Sequence, residues 1–271
     1  MDNILSLDNI TLTYFSDNGE TLALSDISFS IKKGEFLSIV GPSGCGKTTI
    51  LSIISGLLKP TSGDIKFYDI EDTLSKTGYM FQKDHLFEWR NVLNNVYLGL
   101  EIQKKKTQEN MDYVNTLLKK YGLWEFKNKY PNQLSGGMRQ RVALIRTLAL
   151  RPKILLLDEA FSALDYQTRL NVCDDISHIL KSEGVTSVLV THDISEAVAS
   201  DKVIVMNKGN VFATGTPKEI FSDEDKLKEV GLQLPFTYKV QHELLKEGYS
   251  LELVMSTKEM VKEICQLNSK K

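Results

Sequence analysis

Cysteine is scarce: Cys45, Cys173 and Cys265 are the only three among 271 residues. An odd count with no metal-ligand spacing gives neither a disulfide framework nor a cysteine-held zinc, and it fits a reducing compartment. Long apolar runs are missing too, so no segment reaches the length of a membrane span. The opening stretch MDNILSLDNITLTY alternates apolar with polar residues and lacks a basic start. No signal peptide is expected there, and a cytoplasmic location follows by default. Charge of one sign is absent as well. The formal net charge is -2, and the basic runs Lys104 to Lys106 and Ser269 to Lys271 read as solvated surface and tail. That balance argues against a nucleic-acid-binding protein. Internal repeats and low-complexity segments are also lacking.

What is present is an ordinary globular composition, 42% hydrophobic, enough for one large domain with an appendage. Ile4 to Tyr14 and Ala23 to Ile31 alternate like strands around the polar DNGE, predicting an antiparallel sheet. Glu35 to Val40 then reads as an apolar strand, GPSGCGK as a loop, and Thr48 to Leu58 as a helix ending before Lys59 and Pro60. Strand, loop and helix in that order open an α/β unit. From Asn91 to Leu150 the signal is helical, with one apolar stripe at Met111, Val114, Leu117 and Leu118 and another at Met138, Val142, Ile145 and Ala149. Ile154 to Leu157 and Ser187 to Val190 are continuous apolar runs followed by polar residues, the pattern of parallel strands buried on both faces. Val203 to Met206 and Val211 to Thr214 read as a hairpin around NKGN, and Pro217 to Phe221 as a short helix. Beyond Ser222, a stripe at Phe236, Val240 and Leu244 and a capping-box pattern at Ser256 to Glu259 suggest a small helical extension.

The stretch GPSGCGKTT, Gly41 to Thr49, satisfies G-x-x-x-x-G-K-[ST] between a strand and a helix. Gly41, Pro42, Ser43, Gly44, Cys45 and Gly46 form a loop whose backbone N–H groups can turn toward phosphate oxygens. Lys47 can reach the terminal phosphates, Thr48 offers a hydroxyl to Mg2+, and Thr49 continues into the helix. A phosphate loop implies a nucleotide but not its fate, which depends on nearby carboxylates. ILLLDEA ends an apolar strand in Asp158 and Glu159. Neighbouring residues cannot point the same way, so Asp158 can face a metal while Glu159 faces a water that attacks the terminal phosphate. Gln82 after GYMF and His192 after SVLVT stand at further strand ends, where each could reach the γ-phosphate. A second glycine-bearing loop, LSGGMRQR from Leu134 to Arg141, puts Ser135, Gly136 and Gly137 at a helix start without any lysine.

In this order, phosphate loop, glutamine after an aromatic, LSGG, strand with Asp-Glu, SALD and histidine after a strand, the chain resembles the ATP-binding cassette family over roughly Ile4 to Ile220. That resemblance implies an α/β P-loop NTPase with a RecA-like core and an N-terminal antiparallel β-subdomain. It further implies an ATPase domain at 1–221 with a helical subdomain at about 85–150, followed by a C-terminal extension at 222–271. By the same resemblance Tyr14 stacks on adenine, Gly41 to Thr49 hold the phosphates of ATP, and Thr48, Gln82 and Asp158 surround Mg2+. Glu159 is then the catalytic base, Ser162 to Asp165 the D-loop, and His192 the residue that holds the γ-phosphate. Ser135, Gly136 and Gly137 resemble the signature loop that closes over ATP held by a second subunit in a head-to-tail dimer. Ala160 stands where importers of the family often have proline, a departure that removes no functional group.

A single cassette without a membrane span implies separate transmembrane permease subunits and a peripheral place on the cytoplasmic face of the membrane. An importer with an extracytoplasmic solute-binding protein is the main expectation. QKDHLFEWRNVLNNVYLGLEIQ resembles the nitrate, sulfonate, taurine and thiamine-precursor branch at Trp89-Arg90, Val92, Asn95-Val96 and Gly99-Leu100, with Glu88 replacing a proline. Leu86, Phe87 and Trp89 suit core packing or docking of a permease helix equally. The alternative is an energy-coupling vitamin or metal transporter ATPase, which VGLQLPFTYKVQHELLKEGY, Val230 to Tyr249, resembles. A soluble cassette that serves no permease is the other alternative.

Overall fold

The computed structural model describes residues 2–17, 19–68, 77–249, 260–262 and 265. The expected antiparallel pair is β1 (Asn3–Ser16) and β2 (Gly19–Lys32), which runs further in both directions than the apolar alternation indicated. β4 (Ser62–Phe67) adds to the other edge of β1 and completes a three-stranded sheet. In SGDIKF only Ile65 and Phe67 alternate, too short a pattern to announce this strand, and these two pack half-buried on the core while the rest stays exposed. Pairing with β1 is what makes it a strand.

The second sheet has six strands in the order β5-β6-β7-β3-β8-β9. β3 (Phe36–Val40), β5 (Thr77–Met80), β6 (Ile154–Asp158), β7 (Thr186–Thr191) and β8 (Lys202–Asn207) are parallel. β9 (Asn210–Gly215) returns antiparallel on β8 through Lys208 (φ 47°) and Gly209 (φ 79°), a two-residue turn with both residues left-handed. β3 and β7 are buried at every position, the polar Ser38, Thr186, Ser187 and Thr191 included, as central strands covered on both faces.

Helices cover both faces. α1 (Lys47–Ile54) packs Ile50, Leu51, Ile53 and Ile54 between the two sheets. It stops before Leu58, because Gly56 turns left-handed at φ 77° and the N–H groups of Leu57 and Leu58 fold back onto the Ser52 carbonyl. α2 (Val92–Ile102), α3 (Gln108–Lys120) and α4 (Gly136–Leu148) start at Asn91, Thr107 and Ser135, each side chain accepting an N–H from the first turn. Val114, Leu117, Leu118, Val142, Ile145 and Ala149 lie in one buried cluster with α5 (Tyr166–Glu183), and Met111 and Met138 pack against it.

The segment after Ser222 is fastened to the core rather than hanging from it. α6 (Pro217–Phe221), α7 (Glu224–Glu229) and α8 (Phe236–Lys246) contribute Phe221, Leu227 and Tyr238 to a cluster with Val203, Val205 and Ile194. The stripe expected at Phe236, Val240 and Leu244 does not face inward. Phe236 is 64% exposed and the buried face is Thr237, Tyr238 and Gln241, because Tyr238 packs edge-on against Phe221 at 5.4 Å and sets the rotation of the helix. The pattern at Ser256 to Glu259 lies outside the described residues. Among the described residues no helix is long and apolar enough to cross a membrane.

Candidate nucleotide site

The register of the parallel sheet lines up four loop starts. Val40 pairs with Thr191, Asp158 with Val190 and Met80 with Leu157. The residues just beyond, Gly41, His192, Glu159 and Gln82, therefore leave the sheet along one edge, its carboxyl end.

At that edge Gly44 (φ 79°) and Gly46 (φ 103°) take left-handed conformations, which glycine adopts without a Cβ penalty. Gly41 has no room for one, since a Cβ would lie 2.4 Å from the Met206 carbonyl oxygen. Lys47 is almost fully buried and donates from Nζ to the carbonyls of Gly41 at 2.8 Å and Pro42 at 3.0 Å, so its ammonium is fixed across the loop. Cys45 is buried beside it, and burial pushes its thiol up. The loop opens into a cleft of about 480 Å³ whose walls include Tyr14, Ser43, Thr48, Thr49 and Glu159. Tyr14 is 43% exposed there. Leu22 on β2 and Lys208 in the β8–β9 turn also line it, and no motif singled them out.

Thr48 Oγ1 donates to Asp158 Oδ1 at 2.9 Å, joining the phosphate loop to the end of β6. The other oxygen, Oδ2, accepts the Tyr79 hydroxyl at 2.8 Å. Burial and then the Asp158 carboxylate push the Tyr79 phenol well up, so it remains a donor. Tyr79 gives no signal in the sequence beyond its place in GYMF. Glu159 sits at φ 43°, strained for a residue with a Cβ, while its N–H still continues the ladder onto the Val190 carbonyl at 2.9 Å. This turns its carboxylate off the strand line, and Oε1 comes 3.3 Å from His192 Nδ1. Gln82 is drawn to the 162–165 turn instead: Nε2 donates to Ser162 Oγ at 3.0 Å, and that hydroxyl donates to the Glu159 carbonyl at 2.9 Å.

Ser135, Gly136 and Gly137 do not line the cleft formed by Lys47. Ser135 caps α4, accepting the Met138 N–H at 3.3 Å, and Ser135 and Gly136 are exposed at that helix start. Further along the helix, Arg139 donates to Asp84 at 2.7 and 3.1 Å and to Glu88 at 2.9 Å. Burial works to raise the Asp84 carboxyl, but Arg139, the Leu86 N–H and the charge of Arg146 together hold the group below the usual range. Arg146 donates to the carbonyls of His85 and Asp84, both at 2.7 Å. The segment after Gln82 is thus clamped to the helix that Ser135 caps. Leu86 is buried there, whereas Trp89 is 74% exposed, its ring 4.7 Å from that of Phe87.

Residues 24–162 match the family model of ABC transporters. The chain belongs to that family. Among curated relatives, the ABC transporter ATP-binding protein YtlC of Bacillus subtilis (strain 168) is 46% identical over 86% of this chain and 88% of its own length. The energy-coupling factor transporter ATP-binding protein EcfA1 of Streptococcus pyogenes is 38% identical over the whole of both chains. Among solved structures, cbiO1 from Clostridium perfringens, part of the ABC transporter complex cbiONQ, superposes with a TM-score of 0.74 at 31% identity, covering 89% of this chain and all of that one. The ATP-binding cassette MJ0796, a dimer bound to ADP and Pi, gives a TM-score of 0.66 at 36% identity over 79% of this chain and 98% of that one. The ABC fold and an ATPase activity that powers transport are thereby shown for this chain. The nitrate, sulfonate, taurine and thiamine-precursor branch expected from Leu86 to Leu100 is not supported by these relatives.

Proposed function

We propose that this ABC ATPase is the energy-coupling-factor type, driving uptake of a small solute through a shared transmembrane coupling subunit. The observation that carries this reading is the end-to-end match to EcfA1, which includes the segment after Ser222. Such systems lack a solute-binding protein, so in this reading that expected partner falls away.

In the proposed cycle ATP lies in the cleft against Tyr14, with its phosphates on the N–H groups of Gly41 to Thr49 and on Lys47. Thr48, Asp158 and Gln82 offer a hydroxyl, a carboxylate and an amide oxygen, a hard oxygen set suited to Mg2+. Two of them already stand 2.9 Å apart. When bound, the ion would neutralise phosphate charge. Among the described residues no group of three His, Cys, Asp or Glu could cage a metal, so the remaining ligands would come from the phosphates and water. Glu159 orients the attacking water, and His192, within reach of its carboxylate, holds the γ-phosphate side. Ser135, Gly136 and Gly137 serve the second subunit's ATP: a helix start exposed at Ser135 and Gly136, and without a lysine, completes a phosphate site that another loop holds. Tightening this arrangement draws two cassettes head to tail, and hydrolysis releases them. Trp89, exposed beside the Arg139 clamp, and the half-buried Phe87 under it form the surface through which the membrane subunit would feel the cycle.

The test is purification of the tagged full chain from detergent-solubilised membranes. One integral coupling protein, with a second cassette, is expected. Recovery with permeases and a lipoprotein would favour a binding-protein-dependent importer, and recovery alone from the cytosol a soluble cassette. Either result overturns the proposal.

A further inference from the structure

Arg169 stands one turn into α5, and its side chain is 18% exposed. Nη2 donates to the Leu164 carbonyl at 3.0 Å, inside the 162–165 turn. Nη1 donates to Asp193 Oδ2 at 2.8 Å, on the residue directly after His192. The two anchors matter because of what they hold. Leu164 lies so close to Gly136 that a Cβ there would meet its side chain at 2.9 Å, and Ser162 in the same turn receives Gln82. Asp193, for its part, fixes the start of the 3-10 turn Ile194–Ala199 by accepting the Ser195 N–H at 3.0 Å and its hydroxyl at 2.5 Å. One planar fork therefore ties the backbone of Leu164, whose side chain lies against Gly136, to the loop that presents His192.

Behind this fork lies Glu196, buried to 2% exposure; among the described residues no donor meets either carboxylate oxygen at full hydrogen-bond geometry, although the Thr191 hydroxyl is close enough to pull the carboxyl down against burial. Its Oε1 is 3.9 Å from Arg169 Nε, which likewise has no acceptor. A buried carboxyl left short of hydrogen-bond contact with the neighbouring guanidinium costs stability. The arrangement leaves the guanidinium a second acceptor to turn toward.

We propose that Arg169 is a positioning residue that couples the 162–165 turn to the His192 loop, so that closure at the signature loop sets the histidine for hydrolysis. The inference rests on the roles proposed for Glu159 and His192. Arg169 touches no reacting atom, and its loss should lower kcat without weakening ATP binding.

The experiment is steady-state ATP hydrolysis by the full chain with R169A, R169K and the double variant R169M/E196Q, each checked for folding by thermal unfolding. R169A is expected to lower kcat at least tenfold with KM for ATP within about twofold. R169K keeps the charge and one anchor but loses the fork, so its kcat should fall between R169A and the parent. R169M/E196Q removes the stranded buried carboxylate, should fold even where R169A does not, and should show the same loss of kcat. Parental kcat in R169K or in a folded R169A or double variant overturns the proposal, as does a rise in KM that accounts for the lost activity. Failure of the underlying site reading looks different: hydrolysis by E159Q would persist at the parental rate whatever the Arg169 variants do.

Discussion

His192 Nδ1 lies 3.3 Å from Glu159 Oε1, at the ends of neighbouring parallel strands. The contact depends on the left-handed backbone at Glu159, which swings the carboxylate away from the Asp158 side. The two acids thus face different tasks although they are adjacent in sequence. Glu159→Gln keeps the shape and removes the base. It should leave ATP affinity within about threefold and lower hydrolysis by roughly 100-fold or more, the usual weight of a general base. Equilibrium binding of a fluorescent ATP analogue and phosphate release check the two halves. Unimpaired phosphate release would remove Glu159 from the role.

Gly136 faces Leu164, with 2.9 Å between a built Cβ and the leucine methyl, and it is remote from the cleft around Lys47. Gly136→Asp places a negative charge where the second subunit's phosphates would arrive. Nucleotide binding to the isolated subunit should be preserved while hydrolysis is abolished and ATP-dependent dimerisation is lost in size-exclusion chromatography. Near-normal turnover would show that the loop does not act across subunits.

The placement of the site residues at one sheet edge was more legible in the sequence than the contacts that hold them there. Gly41 to Thr49, Asp158, Glu159 and His192 each follow an apolar run that can only be a buried strand, and register then gathers them at one edge. Tyr79, Arg139 and Arg169 escape that logic. Each acts through a contact between segments distant in the chain, with Asp158, Asp84 and Asp193 respectively. A lone tyrosine or arginine does not announce such a partner. β4 was invisible for a related reason, being a strand only by pairing with β1. The rotation of α8 was misjudged because Phe236 is the larger apolar residue, yet the space beside Phe221 takes Tyr238.

Tyr238 is fully buried, and among the described residues its hydroxyl has no hydrogen-bond partner. An unpaired buried hydroxyl costs about 1–3 kcal/mol. Tyr238→Phe keeps the edge-on contact with Phe221 and removes that cost, so it should stabilise the fold by about 1 kcal/mol in urea unfolding. A loss of stability would mean the hydroxyl has a partner after all, such as an ordered water.

Glu196 makes stability depend on pH in the opposite sense to a surface ion pair. Burial is the main cause that pushes its carboxyl up to about 7, against 4.5 ordinarily, with the negative charges of Asp193 and Glu159 adding to the rise. The folded state therefore binds a proton that the unfolded state releases, and folding is favoured most below about pH 4.5. This contribution drains away as pH rises toward 7, by up to about 3 kcal/mol. Glu196→Gln cannot ionise, so its stability relative to the parent should climb across that window and level off above it. Carboxylates held low by cations, such as Asp84 and Glu101, act in the other direction but are common to both proteins and cancel in the difference. Urea unfolding of the pair at several pH values between 5 and 8 measures it directly. Parallel curves would mean that Glu196 is already ionised throughout and is neutralised by Arg169 alone.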